Sequence, residues 1–163
     1  MPSCPSTPAA EVAVSAILTP DAPQAEAELG AFLADRAGDG AVACFVGLAR
    51  DTSTAGPVTG LYLDHYPGFT ERSLERIAAA AAARFAVSDV RVVHRCGEVR
   101  PGEAIVFVAV AAAHRRAAFE AVDYLMDRLK TEAAFWKRED GPAGSRWIEP
   151  TENDRADRAR WSD

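Results

Sequence analysis

At 163 residues, with 48% hydrophobic and 26% charged side chains, the chain has the length and balance of one globular domain with a real core. Its net charge of −6 argues against general nucleic-acid or membrane binding, so basic clusters within it point to local anion sites. The three cysteines, Cys4, Cys44 and Cys96, are far apart, with no CxxC and no Cys/His ligand spacing, a reduced, cytosolic pattern with no metal site.

Residues 1–9, with three prolines, read as a disordered tail ahead of a single domain over 10–150, and no export signal or membrane span is expected. Glu11 to Leu18 reads as a strand and Asp21 to Ala37 as a helix, with Thr19 or Asp21 to cap it and Gly38 just past its end. Gly40 to Arg50 is a continuous apolar run, expected as a central strand covered on both faces with Cys44 buried. Arg50, at its mouth beside the polar loop Asp51 to Pro57, is either an anion contact or a solvated strand end. Val58 to Tyr66 alternates as a strand, placing Leu61, Leu63 and His65 on one face and Tyr62, Asp64 and Tyr66 on the other. Pro67-Gly68 turns the chain, and Thr70 caps an alanine-rich helix to about Phe85. Val90 to Cys96 is a strand, a Pro-Gly turn follows, and Ala104 to Ala112 is a second fully buried strand.

A helix then begins at His114, with Phe119, Val122, Met126, Leu129 and Ala133 spaced as an apolar stripe and Lys130 at its margin beside Asp123 and Asp127. Phe135 and Trp136 break that pattern, so Lys137 lies on a strand or loop just after the helix. Arg146 to Glu149 reads as an edge strand, and the charged tail at 151–163 as a surface helix. The order β-α-β-β-α-β-β-α with short connections indicates an α+β domain, a mostly antiparallel sheet with helices on one side.

Of 18 Lys+Arg, only Lys130 and Lys137 are lysines, seven residues apart. Arginine stays charged at any working pH, whereas a lysine amine can be tuned to exchange a proton or to attack. Either an amine is needed here, or the composition has drifted to arginine and left two lysines behind. His114, Arg115 and Arg116 open the helix, where cations are unfavourable unless an anion is bound nearby. No phosphate loop, dinucleotide fingerprint or nucleophile elbow is present, so no cofactor is expected, and His65 and His94 are expected to be structural.

The stretches FVGLAR, LDHYPGFTE, HRCGEVRPGE, AAAHRRAAFEAVDYLMDRLKTEAAFWKRE and RWIE together resemble the large, catalytic subunit of molybdopterin synthase, from about Glu11 to Glu149. The resemblance implies an α/β-hammerhead fold and a homodimer within a heterotetramer. Each large subunit would bind a small ubiquitin-like sulfur carrier ending in Gly-Gly. It implies transfer of two sulfurs from the carrier's C-terminal thiocarboxylate to cyclic pyranopterin monophosphate, forming the molybdopterin dithiolene. By position in the matched motifs, Lys130 and Lys137 would be catalytic. Together with them, Arg50, His114, Arg115, Arg138 and Glu139 would bind substrate. A module that only binds such a carrier or an anionic pterin is the alternative. The sequence departs from the family where Leu48 replaces a lysine found in some members, Asp51 a frequent asparagine and Ala134 a frequent proline.

Overall fold

The computed structural model describes residues 11–162; the expected tail at 1–9 and Cys4 lie outside them. In chain order the elements are β1 (Ala13–Thr19), α1 (Ala25–Leu33), β2 (Ala41–Leu48), β3 (Thr52–Ser53), β4 (Gly56–Pro57), β5 (Gly60–His65), α2 (Phe69–Arg84), β6 (Asp89–Arg95), β7 (Gly97–Val99), β8 (Ala104–Ala112), α3 (Arg115–Glu132), β9 (Phe135–Gly141), β10 (Gly144–Ile148) and α4 (Glu152–Ala159). The α+β class is as expected, but the strands form two four-stranded sheets and a small ribbon. The first sheet runs β1-β6-β8-β2 and the second β10-β9-β5-β7. Only the β1–β6 pairing is parallel. Gly97, at φ +81°, is where the chain leaves the first sheet and enters the second, a backbone state that a Cβ would strain. Among the described residues no helix is long and apolar enough to cross a membrane.

Strand β8 is buried on both faces, and its alternate residues supply two cores. Val106, Val108, Val110 and Ala112 pack with α2 and α3 residues including Leu74, Ile77, Ala118, Ala121 and Leu125. Phe107, Ala109 and Ala111 pack with Phe32 of α1 on the opposite face. The helices therefore cover both sides of the sheet, not one as expected. Strand β2, expected at the centre, is instead at the edge, which leaves Cys44 and Phe45 exposed. An apolar run does not distinguish a central strand from an edge strand that presents its side chains to something else.

Helix α1 is shorter than expected: Thr19 Oγ1 accepts from Asp21 N, the helix starts only after Pro23, and Asp35 at φ +58° ends it before Gly38. On α3 the buried face is Ala118, Ala121, Leu125 and Leu129, whereas Phe119 is 64% exposed. The small alanines let the helix approach the sheet closely, which rotates the apparent stripe away from Phe119.

The corner between α3 and β9 is held by the start of α2. Thr70 is fully buried; its hydroxyl donates to Ala134 O at 2.8 Å and accepts from Tyr66 N at 3.0 Å. Gly68, at φ +79°, is the N-cap that had been expected of Thr70, and Glu71 accepts from Gly68 N at 2.6 Å. Ser73 Oγ donates to Glu132 O at 3.2 Å. Thr70→Val would keep the shape and leave the partly buried Ala134 carbonyl and the Tyr66 N–H without this partner. It is expected to lower unfolding free energy by about 2 kcal/mol in urea titrations, with Thr70→Ser restoring most of it; no difference between the two would contradict this bridging role.

Candidate functional site

Strand β9 sits between β10 and β5, and this double pairing fixes which way each side chain points. Lys137 is in register with Leu63 on one side and Ile148 on the other, so it shares their face, as do Phe135 and Glu139. Leu63 is fully buried and packs with Ala49 and Val99. Lys137 is thus drawn into an apolar corner of the fold. Burial holds its pKa below the ordinary lysine range, the charge of Lys130 lowers it further, and the carboxylate of Asp154 partly offsets both.

Lys130 lies in the last turn of α3 and is more exposed. Its ammonium donates to Asp154 Oδ1 at 3.2 Å, not to Asp123 or Asp127 as its helix position suggested. Those two carboxylates accept from Arg160, and Asp127 also accepts from the Trp161 indole N–H at 2.6 Å. The two lysines of the chain are therefore electrostatic neighbours, one paired and partly solvated, the other desolvated.

The remaining expected site residues are distributed differently. Arg50 is exposed and follows directly on Ala49, which packs against Leu63, so it stands at the same end of the fold as Lys137. Glu139 shares the Lys137 face and accepts two hydrogen bonds from Arg146, at 2.8 and 3.1 Å. Arg138 points to the opposite face of β9. There it pairs with Asp140 through two hydrogen bonds, at 2.9 and 3.1 Å, and lies 5.1 Å from the Tyr62 ring. The Arg138 hydrogen bonds hold the Asp140 carboxyl below its ordinary range.

His114 and Arg115 are exposed at the N-terminal end of α3, fifteen residues before Lys130. At 1.5 Å per residue that is about 22 Å along the helix. In the β2–β8 ladder, Ala112 pairs with Ala41 and Ala104 with Leu48, so His114 and Arg50 leave opposite ends of the sheet. One copy of the chain gathers Lys130, Lys137, Arg50 and Glu139 at one end and leaves His114 and Arg115 at the other.

Asp154 and His94 were not identified from sequence as parts of this site. The signal for Asp154 was Thr151-Glu152-Asn153-Asp154, a capping box that opens the expected surface helix. His94 on β6 is buried and stacked on Phe135, with ring centroids 4.2 Å apart, and its Nδ1 lies 2.8 Å from Arg95 O. A cavity of about 530 Å³ lined by Leu61, Arg95, Glu103 and Asp140 among others contains neither lysine. In its lining Arg95 and Glu103 pair at 2.8 Å. Among the described residues no group of three or more His, Cys, Asp or Glu side chains is placed to hold a metal.

The family model described as "MoaE protein" matches residues 19–132. The chain belongs to the MoaE family. It is 59% identical to a molybdopterin synthase catalytic subunit of Caulobacter vibrioides over 133 residues, 82% of this chain and 87% of the relative. Its fold is similar to that of a molybdopterin biosynthesis MoaE protein from Burkholderia ambifaria, with TM-score 0.75 and 43% identity, covering 93% of this chain and 98% of the other. A Helicobacter pylori complex of subunits 1 and 2 of molybdopterin-converting factor contains a chain of the same fold, with TM-score 0.64 and 21% identity, covering 85% and 90%. The matched stretch includes Lys130 and ends before Lys137.

Burial pushes the His94 pKa down to about 4 from an ordinary 6.5; the hydrogen bond to Arg95 opposes this and the charge of Lys137 adds to it. Between pH 6.5 and about 4 the unfolded chain binds a proton that the folded chain does not, so stability falls as pH drops through that window. The loss is expected to total roughly 3 kcal/mol. Urea unfolding at pH 7 and pH 4 should show the wild type losing that much more than His94→Gln; equal losses would contradict a neutral, buried imidazole.

Proposed function

We infer that the chain is the catalytic subunit of a molybdopterin synthase. It takes sulfur from the C-terminal thiocarboxylate of a small ubiquitin-like carrier and adds two sulfurs to cyclic pyranopterin monophosphate, giving the dithiolene of molybdopterin. The observation that carries this reading is the pairing of the only two lysines, with the amine of Lys137 desolvated beside that of Lys130. Both reactants are anions that repel each other, so a site that joins them needs fixed cations. It also needs a group able to move a proton as sulfur adds to carbon, which a guanidinium cannot do near neutral pH.

Lys137 takes the proton-transfer role more readily, because its desolvated amine gives up a proton at lower pH than a free lysine. Lys130, at the rim, holds developing negative charge and also exchanges a proton with the substrate carbons. Arg50 contributes a further cation for phosphate or pterin. Arg138 meets substrate only if it leaves Asp140, and Glu139 positions Arg146 on the substrate side.

The distance from His114 and Arg115 to the lysines supports a homodimer in which a second copy brings these two residues to the site. That a Helicobacter chain of this fold is in a complex of subunits 1 and 2 of molybdopterin-converting factor supports a second type of subunit as partner. The free thiols Cys44 and Cys96 support a cytoplasmic location.

With thiocarboxylated carrier and cyclic pyranopterin monophosphate, Lys130→Arg and Lys137→Arg are each expected to lose about 100-fold or more in dithiolene formation. Near-full activity in both would show that charge alone suffices. The dimer has its own test. A mixture of His114→Ala/Arg115→Ala chains with Lys137→Ala chains should regain activity on forming mixed dimers, because one of the two sites is then complete. No recovery in verified mixed dimers would contradict the shared site.

A further inference from the structure

Helix α4 brings a carboxylate to Lys130. The Asp154 side chain is largely buried, at 19% exposure, and its Oδ1 accepts from the Lys130 ammonium at 3.2 Å. Its other oxygen is already engaged, accepting from Thr151 N at 2.8 Å and Thr151 Oγ1 at 2.7 Å, while Asp154 N donates back to Thr151 Oγ1 at 3.1 Å. The carboxylate is therefore locked by its own helix cap, independently of the lysine.

The helix itself is clamped to α3. Arg158 pairs with Glu132, and Arg160 pairs with Asp123 at 3.2 Å and Asp127 at 2.8 Å. The Trp161 ring meets Tyr124 and Phe85 edge-on, with centroids 5.4 and 5.9 Å away. An exposed ion pair gains little because both side chains must be ordered to form it. Here the acid is ordered beforehand, so only the lysine stem is restrained.

Without this partner Lys130, on a flexible four-carbon stem and repelled by Lys137, would turn out to solvent. The charged groups acting on Lys137 are Lys130 and Asp154, and Lys137 in turn acts on His94 of β6.

We propose that Asp154 is a positioning residue for sulfur transfer, holding the Lys130 ammonium in one direction beside Lys137, so that the C-terminal helix is part of the reaction site. This rests on Lys130 acting on substrate, as inferred above.

Asp154→Asn preserves the shape and the acceptor facing Thr151 but removes the charge facing Lys130. Because the chain has only two lysines, ¹³Cε-lysine labelling gives two side-chain signals, assigned with Lys130→Arg. Asp154→Asn is expected to leave the melting temperature nearly unchanged and to make the Lys130 signal sharp and mobile. It should lower kcat roughly 10- to 100-fold with little change in KM for the carrier. Asp154→Glu, which restores the charge, should recover part of the loss.

Unchanged kcat with an unchanged Lys130 signal would overturn the proposal. So would an Asp154→Asn enzyme faster than wild type, which would make the contact a latch that the carrier has to open. Lys130→Ala separates the two levels. Full activity in Lys130→Ala would sink the role of Lys130 itself, whereas an inactive Lys130→Ala beside a fully active Asp154→Asn would sink only the role of Asp154.

Discussion

The interaction on which the rest depends is the repulsion between the desolvated amine of Lys137 and the half-exposed ammonium of Lys130. An amine such as Lys137 loses hydration on burial, and a second cation nearby makes its charged form still less favourable. A fold that only had to be stable would have no reason to keep this arrangement. The β9 register imposes it: two neighbouring strands fix Lys137 opposite Leu63 and Ile148, and a slip of one residue would put Arg138 there instead. The buried Thr70 hydroxyl ties the α3–β9 corner, so the end of the helix and the start of the strand cannot drift apart.

The charges around the two amines are arranged unequally. Asp154 faces Lys130 directly and acts on Lys137 only at a distance, while His94 is kept neutral by burial. Arg138 and Asp140 neutralise each other on the far face of β9. Lys137 therefore faces another cation, although the chain as a whole is acidic. In the proposed reaction an anionic substrate would add a counter-charge beside Lys137 and relieve part of this repulsion.

Much of this was legible in the sequence where a local rule governs. The 2-residue alternation of β5, the double burial of β8 and the helix ending between Lys130 and Lys137 all follow from periodicity and turn residues, whereas a strand and a loop were both open for Lys137. What was not legible depends on neighbours distant in the chain. The edge position of β2, and with it the exposure of Cys44, is decided by which strand pairs with β8. The face of α3 that is buried is decided by how closely alanines let it approach the sheet. Periodicity placed Lys130 beside Asp123 and Asp127, but Arg160 and Trp161, more than thirty residues later, occupy those carboxylates. His114 and Arg115 share a motif with the lysines in sequence yet stand a helix length away, because a motif fixes order along the chain and not convergence in space.

The central claim is that the joined amines of Lys130 and Lys137 receive the carrier's reactive end. A crystal structure of this chain bound to a carrier ending in Gly-Gly measures it directly. The carrier's terminal carboxylate is expected within about 3 Å of the Nζ of one of the two lysines, with the other no more than one water away. A tail that ends elsewhere, with both amines facing solvent or only each other, would contradict it.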